Sequence, residues 1–185
     1  RQREYAWLTG DVRAEDRATQ YGHRAAIVLF TGSAQTGKTF LARRVEALLV
    51  ADSRHAYLLE GENLLQGLDA DLSAADPSFA AERVRRYGEV ARLLIDTGLI
   101  VVSTSKTFGI NYQRMAEMIR TLVQPAPVIA VHMSRAGEEP PPNTDLHFAG
   151  PQDFDAAARQ ILEELKRRGV LIQPSGTKST IQYSI

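Results

Sequence analysis

The chain has 185 residues, 44% of them hydrophobic and 24% charged, enough for one buried core without requiring a second domain. Lys plus Arg and Asp plus Glu both number 22, so the formal charge is zero, which removes the basic footprint of a nucleic-acid binder or a membrane-surface protein. There is no cysteine, which excludes a disulfide framework, a zinc ribbon and thiol catalysis.

Along the chain, short apolar runs alternate with stretches of helical period, the pattern of βαβ units feeding a parallel sheet. Residues 1–24 are charged and predict an N-terminal arm or a short helix packed on the domain. Strands are predicted at Ala25–Thr31, Ala56–Leu59, Leu99–Thr104 and Val128–Met133, with a weaker one at Leu146–Phe148. Four amphipathic stripes lie between or after them. They are Leu41, Val45, Leu48 and Leu49; Val84, Tyr87, Ala91, Leu94 and Ile95; Met115, Met118, Ile119 and Leu122; and Phe154, Ala158, Ile161 and Leu165. Each keeps helical spacing, so each helix buries one face on the sheet. Pro151 and Gly169 punctuate the start and end of the last helix. Pro140, Pro141 and Pro142 make Arg135–Thr144 a loop, and the polar tail 172–185 reads as linker, edge strand or disorder. Apolar runs such as Ala25–Phe30 and Leu99–Val102 are far too short to span a bilayer. The start carries no signal-peptide pattern and begins at Arg1, so the chain is read as a cytoplasmic segment of a longer polypeptide.

The strongest chemical signal is Gly32-Ser33-Ala34-Gln35-Thr36-Gly37-Lys38-Thr39, a complete G-x-x-x-x-G-K-[ST] motif between a predicted strand and a predicted helix. Glycines at its two ends allow the backbone angles that turn successive N–H groups inward onto phosphate oxygens. The following helix N-terminus adds free donors and a positive dipole end. Lys38 is expected to reach the β- and γ-phosphates of ATP, and the Thr39 hydroxyl to ligate Mg²⁺. The guanine-specific N-K-x-D and the D-x-x-G switch of regulatory GTPases are absent, as is the G-x-G-x-x-G of dinucleotide binders.

The second predicted strand ends in Glu60-Gly61-Glu62-Asn63, and ligands bind at the carboxyl ends of strands in an open parallel sheet. Glu60 and Glu62 could orient a substrate hydroxyl, accept its proton or hold magnesium through water; an acidic turn after a strand is the competing reading. The next helix carries Glu82, Arg83, Arg85, Arg86, Glu89 and Arg92, with Arg86 placed to pair with Glu89. One or two of these arginines would fork onto an anionic ligand while the rest form a solvated face. The four histidines show no metal-ligand spacing.

The ordered set of motifs resembles the adenylylsulfate (APS) kinases, P-loop kinases of sulfate assimilation. Tyr57-Leu58-Leu59-Glu60-Gly61-Glu62-Asn63 is similar to the family's Y-x-L-D-G-D-N, and Gly67-Leu68-Asp69-Ala70-Asp71-Leu72 to its G-L-N-x-D-L. Arg85-Arg86-Tyr87-Gly88-Glu89-Val90-Ala91 follows R-R-V-x-E-V-A, and Asp96-Thr97-Gly98-Leu99-Ile100 follows D-A-G-x-I. The resemblance implies an α/β, three-layer P-loop NTPase fold with a mostly parallel five-stranded sheet flanked by helices. It divides the chain into an arm at 1–24, a kinase-like domain at 25–171 and a tail at 172–185.

The implied reaction moves the γ-phosphoryl of MgATP to the 3′-hydroxyl of APS, giving PAPS and ADP. Gly32, Ser33, Ala34, Gln35, Thr36, Gly37, Lys38 and Thr39 would bind nucleotide, with Thr39 on Mg²⁺. Lys38, Glu60 and Glu62 would be catalytic, and Asn63, Arg83, Arg86, Lys106 and Thr107 would contact the acceptor. Family members are often fused behind an ATP sulfurylase, so a sulfurylase and a second copy of the chain are the implied protein partners.

The sequence departs from the family pattern on the acceptor side. Both acids of D-G-D-N are glutamates, the arginine two positions after its Asn is Leu65, and the Asn of E-N-x-R-R is Arg83. The segment matching I-S-P-x-R is Lys106-Thr107-Phe108-Gly109-Ile110, and the lysine-rich lid after the fourth strand is essentially deleted. Two other readings follow from these departures: a degenerate nucleotide-binding or regulatory domain attached to a sulfurylase, and a kinase with a different small acceptor.

Overall fold

The computed structural model describes residues 7–104, 112–150 and 153–172. Its centre is β1 (Ala26–Gly32), an uninterrupted buried run flanked by β3 (Ile100–Thr104) and β4 (Val128–Ser134), also buried throughout. The edges are β2 (Ala56–Glu60) and β5 (Leu146–Ala149), so the strand order is β2-β3-β1-β4-β5. Every neighbouring pair is parallel, a stricter arrangement than the mostly parallel sheet expected. Continuous burial in the three inner strands and mixed burial at the edges follow from helices covering both faces.

Strand alternation divides the core. Ala26, Val28 and Phe30 of β1 face α2 (Lys38–Ala51) and α6 (Phe154–Arg167), joining Leu41, Val45, Leu49, Ala158, Ile161 and Leu165. Ile27 and Leu29 face the other way, onto α4 (Phe79–Asp96) and α5 (Tyr112–Val123), against Val84, Tyr87, Ala91, Met115 and Ile119. This gives three layers with the four expected amphipathic helices outside.

Two helices were not resolved by periodicity. The charged arm contains α1 (Ala14–Tyr21), closed by Gly22, and a single turn, α3 (Gly61–Leu64), follows β2 directly. Residues 22–24 then tie to the end of the fold: Arg24 N donates to Val170 O at 2.8 Å and Ile172 N to Gly22 O at 3.0 Å. The start of α6 is set by Asp153, whose side chain accepts from the Asp155 and Ala156 amides, while Pro151 lies outside the described residues. Gly169 N donates to Lys166 O and Val170 N to Leu165 O, which closes the helix where Gly169 was expected to end it. The tail 173–185 is also outside the described residues, as are residues 1–6. Among the described residues, no helix is long and apolar enough to cross a membrane.

Candidate active site

The carboxyl end of β1 turns through the glycine motif into α2, with positive φ at Gly32, Gln35 and Gly37. No other residue fits at Gly32: φ is +124° and a Cβ would lie 1.8 Å from the Met133 carbonyl oxygen of β4. At Gly37, with φ +88°, a Cβ would lie 2.5 Å from the Phe154 ring. The loop is pinned to β4 by Ser33 N donating to Met133 O at 3.0 Å. Helix α2 begins with no side-chain cap and no acidic residue in its first turn, so its N-terminal amides remain available to an anion.

Lys38 is half-buried and folds back over the loop, donating to Gly32 O at 2.9 Å and to Ser33 O. Burial lowers its pKa, and the carboxylate of Glu62 opposes that shift, which places Glu62 within electrostatic reach of the ammonium. Glu62 and Asn63 lie on α3, immediately beyond β2; Glu60, the residue before α3, is 3.4 Å from Arg43. Thr39 is exposed in the first turn of α2.

Beneath the two glutamates lies Tyr87, which its stripe marked only as core. Its hydroxyl donates to Leu59 O at 2.8 Å and bonds Ser103 Oγ, joining the ends of β2 and β3. Burial, reinforced by Glu60 and Glu62, pushes its pKa up, so it stays a neutral donor.

The expected acceptor arginines have partners that helical spacing did not supply. Arg83 is buried, with Nε 3.4 Å from Asp69 Oδ2 and its guanidinium over the Phe79 ring. Arg86 forks onto Asp71 at 2.5 and 2.9 Å and donates to Leu68 O at 2.5 Å, holding the 65–78 loop on α4. It turns back to Glu82, whereas Glu89 is approached by Arg85 at 3.9 Å, which corrects the expected Arg86–Glu89 pair. Hydrogen bonds from Arg85, then Arg86, pull the Glu82 carboxyl down to about 2. Lys106 and Thr107 lie outside the described residues.

Three residues at the loop were not anticipated. Glu138, in the Arg135–Thr144 loop, accepts from Ser33 Oγ at 2.6 Å and from Arg135 N at 3.1 Å. Tyr112 at the start of α5 donates to Gly32 O at 2.6 Å, and His132 of β4 bonds Thr31 Oγ1 at 2.9 Å. Nothing local in the sequence marks them, because each is brought in by strand order from a distant segment.

A fully parallel sheet whose central strand feeds a glycine loop, a lysine and an uncapped helix defines a P-loop phosphotransferase of the small-molecule kinase class. The sequence model described as adenylylsulphate kinase matches residues 24–140. An adenylyl-sulfate kinase of Yersinia pestis is 29% identical across 89% of this chain and 89% of its own length. One from Shewanella amazonensis is 38% identical across 69% of this chain and 63% of its own length. A mutant APS kinase of Mycobacterium tuberculosis superposes with a TM-score of 0.67 at 29% identity, covering 78% of this chain and 99% of the other. The chain belongs to the adenylylsulphate kinase family.

Proposed function

We propose that the protein transfers the γ-phosphoryl group of ATP to the 3′-hydroxyl of adenylyl sulfate. The acceptor oxygen forms a bond to the γ-phosphorus as the bond from that phosphorus to the β,γ-bridging oxygen breaks, releasing ADP. The hydroxyl proton passes to Glu62, on the helical turn after β2 and within electrostatic reach of Lys38, a place that suits a base near the triphosphate. Lys38 balances charge on the β- and γ-phosphates, while the loop amides and the α2 N-terminus hold them in line. Asn63 is a candidate acceptor contact, while Arg83 and Arg86 would serve by holding the 65–78 loop through Asp69 and Asp71; Lys106 and Thr107 remain expected contacts from the sequence.

Magnesium fits the donor chemistry present, since the Thr39 hydroxyl and the Glu60 and Glu62 carboxylates are hard oxygen ligands on neighbouring elements. Such an ion would be held by one or two protein oxygens together with substrate phosphates and water. When bound, it would offset charge developing on the phosphoryl oxygens.

The observation that carries the reading is Lys38, half-buried on the carbonyls of its own loop and close to Glu62. Family membership supports the acceptor assignment. A sulfurylase, which makes that acceptor, is the protein partner to seek by co-purification. Calorimetry with ATP and with APS, together with ADP production with and without APS, tests the reading. Binding of both and APS-dependent ADP are expected; binding of ATP alone would overturn the acceptor assignment.

A further inference from the structure

Gly32 O accepts two donors, Lys38 Nζ at 2.9 Å and Tyr112 Oη at 2.6 Å. Lys38 cannot both stay on its loop carbonyls and give its full set of donors to a triphosphate. When it leaves Gly32 O, that oxygen, on a buried residue, needs another partner or goes unpaired. Tyr112 already supplies one.

We infer that Tyr112 is a positioning residue of the phosphate site: its hydroxyl keeps the Gly32 carbonyl satisfied, and so frees Lys38 to swing onto the β- and γ-phosphates. The inference rests on the ATP-binding part of the proposed function. The tyrosine is built for a fixed donor. Its ring meets His132 edge-on at 5.2 Å and 71°, and His132 is in turn held by Thr31 on β1. Burial, then the neighbouring Glu138 carboxylate, raises the phenol pKa, so the donor proton is retained at neutral pH. Tyr112 is also the first residue of α5, the helix that follows the 105–111 segment where the acceptor contacts Lys106 and Thr107 are expected. One hydroxyl therefore couples the helix beyond that segment to the aim of the lysine.

The test is Tyr112→Phe, which keeps the ring and removes only the donor. Calorimetric titration with MgATP is expected to show about tenfold weaker binding, the cost of a carbonyl left unpaired when Lys38 departs. Melting of the nucleotide-free protein should be unchanged, because Lys38 still satisfies Gly32 O there. AMP, which lacks the phosphates Lys38 reaches, serves as the second probe, and its affinity should be the same in wild type and variant. Equal ATP affinity in the two proteins, or a loss shared by AMP, would overturn the inference. A wild type that binds ATP but does not turn over APS would remove the acceptor assignment and leave this result readable, because the readout is the ratio of ATP affinities.

Discussion

Ser33 Oγ donates to Glu138 Oε2 at 2.6 Å, joining the phosphate loop to the connection between β4 and β5. The pair lies where the resemblance to the family implies a deleted lid, so a short tether with a carboxylate stands beside the glycine motif. Hydrogen bonding from Ser33, then from the Arg135 amide, holds that carboxyl below its ordinary range. It is therefore charged at neutral pH, and it meets an incoming triphosphate with repulsion.

Glu138→Gln is expected to tighten ATP binding. The gain should be about threefold at physiological salt and larger in dilute buffer, because the charge is exposed and screened by ions. Calorimetry at two ionic strengths checks it. An affinity that falls, or a gain that ignores salt, would mean the carboxylate assists the nucleotide instead.

Lys38→Ala removes the donor to Gly32 O and Ser33 O and the only lysine in the glycine motif. Charge-assisted hydrogen bonds contribute about 1.5–3 kcal/mol each, so ATP affinity should fall by at least about a hundredfold if two are lost. Titration with ATP at millimolar protein decides it; retained affinity would move the phosphate site away from this loop.

The layered fold was readable because its strongest signals are local. Apolar runs placed all five strands to within a residue at each end. The inner three are continuous because a strand buried on both faces needs no polar alternation, and the edge strand Leu146–Ala149 alternates because it is half-buried. Helical period placed α2, α4, α5 and α6 for the same reason, whereas α1 is too polar and α3 too short to show one. The glycine motif was legible because only glycine tolerates the approach of Met133 O to Gly32. Tyr112, His132 and Glu138 were not, because the order β3-β1-β4 sets which distant segments meet at the loop. Arg83 illustrates the same limit: its acid, Asp69, lies 14 residues back in a loop, beyond any helical pairing rule.

The buried Arg83–Asp69 pair offers a test of exchange on the acceptor side. The resemblance aligns both positions with family asparagines, so two neutral amides there correspond to an acid and a guanidinium here. The exchange is imperfect, because Asp69 Oδ1 is buried with no hydrogen-bond partner among the described residues. Asp69→Asn removes the carboxylate that pairs with the buried Arg83 guanidinium and should destabilise by about 3 kcal/mol. Arg83→Asn leaves a buried carboxylate and should cost a similar amount. The double variant restores two neutral amides and should be more stable than either single change. Urea denaturation of the four proteins measures this, and simple additivity would show that the two side chains are energetically independent.

Stability should also fall on mild acidification, with His132 contributing. Burial, then His147 and Lys38, lowers its pKa below 6.5, while Glu138 opposes the shift; Thr31 and Tyr112 complete its surroundings. A depressed histidine pKa means the unfolded chain takes up a proton that the folded one refuses. The loss therefore begins as pH falls through 6.5 and levels off below the folded-state pKa, with no effect above that window. His23, also lowered mainly by burial, acts in the same direction. Each such proton contributes at most about 1.4 kcal/mol per pH unit within its window. Urea midpoints from pH 8 to pH 5 should decline in wild type and decline less steeply in His132→Gln, whatever the variant's absolute stability. Identical slopes would show that His132 accepts its proton as readily in the folded protein as in the unfolded chain.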